Sequence, residues 1–501
     1  MRTRWATGVR LLLGVIAAAV ALGAWAVSAP VGAAPDDDFH LASLWCAPTA
    51  SADYCEPIAG TSEGEIRTAV SLGLRCFIID ETVSGACTAD VLADDRRVRT
   101  DRVNFGGYNP AGFYALLGPL AGSDIEASVL AVRLTNAALF LVIVLTAFLL
   151  LPAARRPALV WGTLLTIVPM GLDLVPSTNP QSWTFGPAAV TLLAVLSAVE
   201  ARGWRRWALA GLAVTATVIG VLARSDAAVI PVLTVGIVLL LRFTPSRRGW
   251  ALLGGLAVLV LIAVIGLLSA SQREYLLPRT GGYTLEHLGL AVMDTLAMPI
   301  LWYRVLAGPV GWQDVPLSPV VGIVGGLLLL LAVATALRVG DRRMRWAIGL
   351  VIVALWLLPL YLLVNNGSLV GMYVQPRYVA PMVVLLSTLV LLRGAGTLRL
   401  PTWAAWTVAA ALAVAHAAAL HGVIRRYVTG TDVVGFDLGA QAEWWWPGAP
   451  APMTVWLVGG VAWAVLLAVA VPLITAGPGD RSWRPSLAAA PQNRTRTSDA
   501  S

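Results

Sequence analysis

Residues 11–27 read LLLGVIAAAVALGAWAV, a run in which every side chain is apolar or absent. A helix of this length comes close to crossing a hydrocarbon core of about 30 Å. The preceding stretch, MRTRWATGVR (1–10), is basic, as the flank of a signal sequence or of a first membrane helix would be. The length of the apolar run favours an uncleaved first helix over residues 1–31, with a cleaved signal peptide as the alternative.

Similar runs recur along the 501-residue chain, which is 58% hydrophobic and only 13% charged. Including the first at 9–31, twelve spans are predicted, and the others lie near 130–152, 157–175, 183–199, 207–223, 226–242, 249–270, 318–338, 346–364, 379–393, 401–420 and 453–475. This pattern predicts an all-α polytopic membrane protein. The net charge of +7 does not indicate a nucleic-acid partner, because the arginines lie in short loops between spans.

The arginines also predict an orientation. They follow alternate spans and so satisfy the positive-inside pattern with the N-terminus in the cytoplasm. They are Arg155, Arg156, Arg202, Arg205, Arg206, Arg242, Arg247, Arg248, Arg338, Arg342, Arg343, Arg345, Arg393 and Arg399. The predicted localisation is therefore the cell membrane, with the long loops and the active face outside the cytoplasm.

The predicted spans divide the chain into six segments. They are the first helix (1–31), an outer loop (32–129), helices 2–7 (130–270), an outer amphipathic or re-entrant loop (271–317), helices 8–12 (318–475) and a disordered cytoplasmic tail (476–501). Loops this long are uncommon unless they carry function, so we expect the site on the outer face.

All four cysteines of the chain, Cys46, Cys55, Cys76 and Cys87, lie in the first outer loop. An even number confined to one extracytoplasmic segment indicates two disulfides. Three pairings are open, and the local pairs Cys46–Cys55 and Cys76–Cys87 are favoured. A metal site is the alternative, although the spacing includes no CxxC.

The stretch PDDDFH (35–40) places three carboxylates and a histidine directly after the first span. If a helix begins here, Asp36 and His40 share one face at i, i+4. One carboxylate could act as a general base toward a sugar hydroxyl, and a second could hold a divalent cation against a phosphate. The alternative is that these residues only cap a helix at the membrane edge.

Six motifs occur in order along the chain, at successive span ends. They are PDDDFH (35–40), YNPAGFYALL (108–117), RLTNAAL (133–139), PSTNPQSW (176–183), GWQDVPLSP (311–319) and VQPRYVAPMVVLL (374–386). This series resembles a large bacterial family of uncharacterised polytopic membrane proteins, assigned to the GT-C superfamily of polyprenyl-phosphate-sugar-dependent glycosyltransferases. The resemblance covers roughly residues 10–395. Gln181 departs from it, because the family often has an acid there, and the first loop is larger than usual.

The resemblance implies a GT-C-like bundle that transfers a sugar from a polyprenyl-phosphate donor to a glycan or lipid acceptor of the cell envelope, with inversion. By register, Asp36 and Asp37 would be the catalytic acidic pair, with one of them as general base. Asp38 and His40 would contact substrate. No cofactor is required by the motifs, although Mg²⁺ or Mn²⁺ held by Asp36 and Asp37 would fit some members of the superfamily.

Four further residues are candidates for substrate binding. Arg377 in QPRY suits a phosphate because of its planar fork, the alternative being an arginine that reaches lipid head groups. Asp314 lies in the GWQD motif. Arg224 and Asp173 lie near outer span ends, where they either line a cavity or form local pairs.

Two other functions remain open. A transporter or flippase of lipid-linked glycans would place polar groups near mid-bilayer and show internal repeats, and neither is clear in this sequence. A non-catalytic membrane scaffold is the third alternative. Membrane lipids are expected partners in every case.

Overall fold

The long apolar runs form helices, because backbone groups surrounded by hydrocarbon must find hydrogen-bond partners within the chain. The computed structural model describes residues 2–50, 54–71, 73, 76–277, 282–372, 374–393, 396–397 and 399–475. In this part of the chain the helices are α1 (Arg2–Ala26), α2 (Asp37–Trp45), α3 (Thr88–Leu92), α4 (Gly112–Leu117), α5 (Ile125–Leu150), α6 (Arg156–Leu164), α7 (Met170–Leu174), α8 (Ser182–Glu200), α9 (Trp204–Ala223), α10 (Val229–Arg242), α11 (Arg247–Leu268), α12 (Leu285–Ala307), α13 (Pro319–Val339), α14 (Arg342–Asn366), α15 (Pro376–Val390), α16 (Thr402–Thr429) and α17 (Pro452–Ile474).

Within the described residues, 11 helices are long and apolar enough to cross a membrane. They are α1, α5, α8, α9, α10 with the turn before it, α11, α12, α13, α14, α16 and α17. The prediction of an all-α polytopic membrane protein is therefore confirmed. The predicted tail, 476–501, lies outside the described residues.

Helix length and composition give 11 candidate spans in the described residues, whereas twelve spans were predicted. The predicted span 157–175 is divided into α6 and α7 by residues 165–169, which end in Pro169, a residue without a backbone N–H. The predicted span 379–393 is α15, which has only 15 residues. Conversely, α12 qualifies as a candidate span although it lies in the predicted outer loop 271–317.

Both ends of α12 nevertheless lie at the same end of the bundle. A turn at residues 340–341 joins α13 and α14, and so short a connection makes them antiparallel neighbours. The start of α13 and the end of α14 therefore lie together. Tyr283, just before α12, donates a hydrogen bond to Asn365 at the end of α14 (3.4 Å). At the other end of α12, Ala307 packs against Gly322 in the first turn of α13.

The first loop carries a three-stranded antiparallel sheet of β1 (Cys55–Pro57), β2 (Gly64–Arg67) and β3 (Arg97–Thr100), while β4 (Leu392–Arg393) pairs with β5 (Gly396–Thr397) after α15. Disulfides join Cys46 to Cys55 and Cys76 to Cys87, as the local pairing predicts. The first bond ties the end of α2 to the sheet, so the acidic stretch is anchored on its C-terminal side.

Arg133 of α5 fixes the point where the chain leaves α1. Its guanidinium is buried and donates hydrogen bonds to the carbonyl oxygens of Ala26 (2.9 Å), Ala29 (2.6 Å) and Pro30 (2.6 Å). The last carbonyls of a helix have no partner within the helix, so an arginine fork is well suited to satisfy them. The sharp exit from α1 thus depends on a side chain about a hundred residues later.

We expect Arg133→Lys to lower the free energy of unfolding by about 2 kcal/mol, because an ammonium group cannot reproduce the three-way fork to buried carbonyls. Thermal unfolding in detergent would measure this. Arg205→Lys, at an exposed arginine, is the matched control and should leave Tm unchanged. Equal Tm values for the Arg133 variant and the unmodified protein would contradict the capping role.

Candidate functional site

The acidic stretch begins with a left-handed residue. Asp36 has φ 59° and ψ 25°, a conformation that aspartate tolerates better than most residues. Its carbonyl oxygen accepts hydrogen bonds from the backbone N–H groups of Phe39 and His40 (both 2.9 Å), which starts α2. The predicted helix start is therefore present, and it sends the three consecutive aspartate side chains to three different partners.

Asp36 is the accessible carboxylate of the three, with 35% of its side chain exposed. It lies 2.5 Å from Arg377 Nη2 and 3.6 Å from Arg102 Nη2. Burial raises the pKa of Asp36, but the charges of Arg377, Arg102 and Arg224 together hold it below its usual value. Asp36 is therefore ionised at neutral pH, with arginines on two sides.

Asp37 is fully buried and faces the segment before α8. It accepts hydrogen bonds from the Thr178 hydroxyl (2.5 Å) and from the Ala34 N–H (3.1 Å). Burial raises the pKa of Asp37 to about 7, although these bonds and the charge of Arg133 act in the opposite direction. Asn179 donates a second bond, to the Pro35 carbonyl (2.7 Å), so residues 178–179 hold the start of α2 in place.

Asp38 is also fully buried and forms a bidentate pair with Arg102. Arg102 Nε and Nη2 lie 2.9 and 2.7 Å from its two oxygens. A fork of this kind fixes both partners in position. Asp38 itself has no exposed surface, whereas 39% of the Arg102 side chain is exposed. The predicted contact of Asp38 with substrate stays a prediction.

His40 lies behind the aspartates, buried against Tyr114. Its Nδ1 is 2.9 Å from the Tyr114 hydroxyl, which also accepts a bond from Asn109 Nδ2 (3.3 Å). Burial lowers the pKa of His40 to about 3, so the ring is neutral at neutral pH. This buried contact with Tyr114 indicates that His40 stabilises the position of α2.

Arg377 brings α15 to the acidic stretch. The residue is buried, and besides Asp36 its Nη2 contacts the Tyr378 hydroxyl (3.2 Å). The Gln181 side-chain amide donates to the Arg377 carbonyl oxygen, a bond that an acid at position 181 would lack when ionised. Among the described residues, Arg377 Nε has no hydrogen-bond acceptor. The guanidinium therefore has an unused donor beside an ionised carboxylate.

Arg224 completes this group. It forms a bidentate pair with Asp226 (2.7–3.2 Å), as the local-pair interpretation predicts. Its guanidinium also lies 5.1 Å from the ring centroid of Tyr378, and that of Arg377 lies 5.0 Å from the same ring. Two arginines therefore share one aromatic ring, a cation–π arrangement that holds like charges close to Asp36.

Asp173 and Asp314 belong to a second cluster. Asp173 accepts a bond from the Gly311 N–H (3.2 Å), and Asp314 forms a buried ion pair with Arg426 (3.0 Å). Arg426 in turn donates to the carbonyl oxygens of Phe77 (2.7 Å) and Val83 (2.6 Å). This cluster joins residues 308–318 to the first loop, and the predicted substrate contacts of both aspartates stay predictions.

The described residues contain no group of three His, Cys, Asp or Glu side chains that could hold a metal ion. The two residues predicted as metal ligands have different neighbours, since Asp36 faces arginines and Asp37 faces Thr178. The described residues around Asp36 and Asp37 therefore do not fit Mg²⁺ or Mn²⁺, which prefer several oxygen ligands.

Sequence reasoning missed Arg102, Arg133 and Thr178. Arg102 is one of several arginines in a polar loop, and nothing local distinguishes it from its neighbours. Arg133 and Thr178 lie inside the motifs RLTNAAL and PSTNPQSW. The motifs therefore marked these two residues as candidates but did not indicate which groups they contact.

Fold and site together define a polytopic membrane protein with an ionised carboxylate and three arginines at one end of its bundle. The chain belongs to the DUF2142 family of predicted membrane proteins, whose family model matches residues 20–386. This range contains Asp36, Arg102, Arg224 and Arg377. No curated protein and no solved structure matches the chain.

Asp37 gives a test by pH. Because its native pKa of about 7 exceeds the model-compound value of 3.8, the native state binds this proton more tightly, and the free energy of unfolding falls as pH rises from about 4 to about 7. The slope reaches about 1.4 kcal/mol per pH unit for one proton. In Asp37→Asn this component is absent, so its Tm should depend less on pH over that range.

Tm of both proteins, measured in detergent from pH 4 to pH 8, would check this expectation. Asp90→Asn, at an exposed position of the same loop, is the control and should follow the unmodified protein. Parallel curves for the unmodified protein and Asp37→Asn would mean that Asp37 stays ionised through its hydrogen bonds.

Proposed function

We propose that the chain is an integral membrane glycosyltransferase of the GT-C type, which transfers a sugar from a polyprenyl-phosphate donor to a cell-envelope glycan or lipid. The observation that carries the proposal is Asp36, an accessible carboxylate held between Arg377 and Arg102. A sugar phosphate needs positive charge for its phosphate and a base for the acceptor, and these residues supply both.

The proposal includes a topology of twelve crossings. α6 with α7 and the short α15 each cross, whereas α12 enters and leaves at the same face. The connections rich in arginine then lie at the end of the bundle opposite Asp36, in the cytoplasm. Two disulfides in the first loop support an oxidising compartment for the other end. A donor on that face is lipid-linked, because nucleotide sugars are cytoplasmic.

The three aspartates have three different roles in the proposed reaction. Asp36 is the general base, since it alone of the three is accessible to an acceptor hydroxyl. Asp38 positions Arg102 through its bidentate pair. Asp37 positions Asp36 by holding the start of α2 against Thr178. The acidic pair that the resemblance implies thus becomes one catalytic residue and one positioning residue.

Donor binding prepares the base. In the free protein the arginines keep the pKa of Asp36 low, which makes it a weak base. A phosphate that engages Arg377 and Arg102 competes with Asp36 for their charge. The pKa of Asp36 then rises, and its carboxylate is released toward the acceptor. The donor therefore binds before the acceptor reacts.

The reaction is one displacement. The acceptor oxygen forms a bond to the anomeric carbon while the bond from that carbon to the phosphate oxygen breaks. Polyprenyl phosphate leaves with the electron pair, and Asp36 takes the proton of the acceptor hydroxyl. Arg377, Arg102 and Arg224 stabilise the negative charge that develops on the leaving phosphate. Attack from the opposite face inverts the configuration of the sugar.

The first experiment uses membranes that contain the protein and a set of radiolabelled polyprenyl-phosphate sugars. Transfer of label and release of polyprenyl phosphate should fall at least about 100-fold in Asp36→Asn, the scale of a general base. Asp90→Asn, made to the same level, should retain transfer. Full activity in Asp36→Asn would refute the base assignment. Movement of labelled lipid across proteoliposomes without any covalent change would favour the transporter alternative.

Arg377→Lys tests the phosphate contact. Lysine keeps the charge but loses the planar fork, so we expect KM for the donor to rise about tenfold, with KM for the acceptor unchanged. Arg99→Lys, at an exposed arginine that pairs with Glu63 in the first loop, is the control. An unchanged donor KM, or a rise confined to the acceptor, would contradict the role of Arg377.

A further inference from the structure

A long groove lies between α1, α5, α6 and α17, away from the Asp36 cluster. Its volume is about 760 Å³, within the range of ligand sites in proteins. Gly8 and Leu22 of α1 mark its two ends along that helix. Because Asp36 follows the C-terminal end of α1, the groove begins at the opposite end of the bundle.

The groove has the dimensions and surface of a site for a lipid chain. From Gly8 to Leu22 the helical rise gives a length of about 21 Å. One leaflet of the hydrocarbon core is about 15 Å thick, so the groove accommodates a chain that reaches the middle of the bilayer. The walls are mainly aliphatic and aromatic, with Leu141, Val144 and Phe148 on one side and Leu466 on the other.

Two arginines, Arg10 and Arg156, line one end of this apolar groove. Arg156 is oriented by the carbonyl oxygens of Leu151 (3.2 Å) and Leu149 (3.4 Å), and its guanidinium lies 4.9 Å from the Phe148 ring centroid. Arg10 is exposed. The described residues that line the groove include no Asp or Glu, so its charged end is purely positive.

The neighbouring Arg155, unlike Arg10 and Arg156, is paired with a carboxylate. Arg155 is buried, with the Ser197 hydroxyl at 2.8 Å and the Glu200 carboxylate at 2.7 Å. In the described part of the chain, neither Arg10 nor Arg156 forms an ion pair with a carboxylate. Among the described residues, no carboxylate pairs with the positive charge at the mouth of this apolar groove.

The mouth also lies at the ends of the long helices that form the groove. α1 packs antiparallel to α17, with Gly14 close to Val469, so Arg10 lies level with the last turns of α17. A phosphate at this level could engage both arginines while its chain enters the groove. Basic pockets between membrane helices bind anionic head groups in this way.

We propose that this groove binds one acyl chain of an anionic phospholipid, with its phosphate held by Arg10 and Arg156. A zwitterionic lipid is disfavoured because its own cation competes for the phosphate. The polyprenyl-phosphate donor is not the occupant, because its arginines lie at the other end of the bundle. The site is independent of the proposed transfer reaction, and a lipid there would brace α1 against α5 and α17.

The test uses purified protein in detergent, titrated with phosphatidylglycerol or phosphatidylcholine and followed by Tm and native mass spectrometry. Phosphatidylglycerol should be retained and should raise Tm with concentration, because a ligand that binds only the folded state stabilises it. In Arg10→Gln/Arg156→Gln the apparent affinity for phosphatidylglycerol should fall about 30-fold, because each lost arginine contact is worth about 1 kcal/mol. Arg205→Gln/Arg206→Gln is the matched control and should bind as the unmodified protein does.

A second variant tests the groove itself. Ala18→Phe fills it, whereas Ala19→Phe places the same ring on the exposed face of α1. Only the first should lose retained lipid. If Ala18→Phe fails to fold, the arginine pair decides the question, since its charges lie at the mouth. The proposal would be overturned if both lipids stabilised the protein equally, or if the control variants lost as much bound lipid as the test variants. Preferential retention of added undecaprenyl phosphate would also overturn it.

Discussion

The arrangement of this protein depends on the cost of taking carboxylates out of water at a membrane edge. An ionised carboxylate there needs an opposite charge close by, and Asp36 finds one in Arg377, 341 residues further along the chain. That pair draws the start of α15 against the first loop. Gln181 then bonds to the Arg377 backbone, so the segment before α8 joins the same corner. One electrostatic requirement thus gathers elements from three distant parts of the sequence.

Three consecutive aspartates show how environment assigns chemistry. Asp36 is ionised because arginines surround it, and its side chain is partly exposed, whereas Asp38 is buried and paired with Arg102. Asp37 is buried among weaker donors, and its pKa lies near neutrality. Two titratable neighbours whose environments move their pKa values apart are a common arrangement at sites of proton transfer. Three identical side chains in succession therefore differ in exposure, in partner and in protonation behaviour.

Most of the helices could be predicted from sequence, because hydropathy is local and each span satisfies its own backbone. The acidic stretch, Arg377 and the disulfide pairing were accessible for similar reasons, through short spacing or motif. α12 could not be placed by composition, since an apolar helix with both ends on one side of the bundle has the same composition as a spanning helix. Arg102 and Arg133 were missed because their partners are distant in the chain, and no periodicity encodes a pairing of that kind.

The packing of α1 has a consequence for how the protein is made. Trp25 of α1 donates a hydrogen bond to His416, and Val27 accepts one from Trp446, so the end of α1 is held by residues 391 and 419 positions later in the chain. Both of these partners lie beyond residue 386, the end of the family match. During synthesis the end of α1 therefore gains these two contacts only after residue 446 has emerged. A chain that stopped before residue 416 would hold Asp36, Arg102, Arg224 and Arg377 and yet lack both side chains that fix the end of α1.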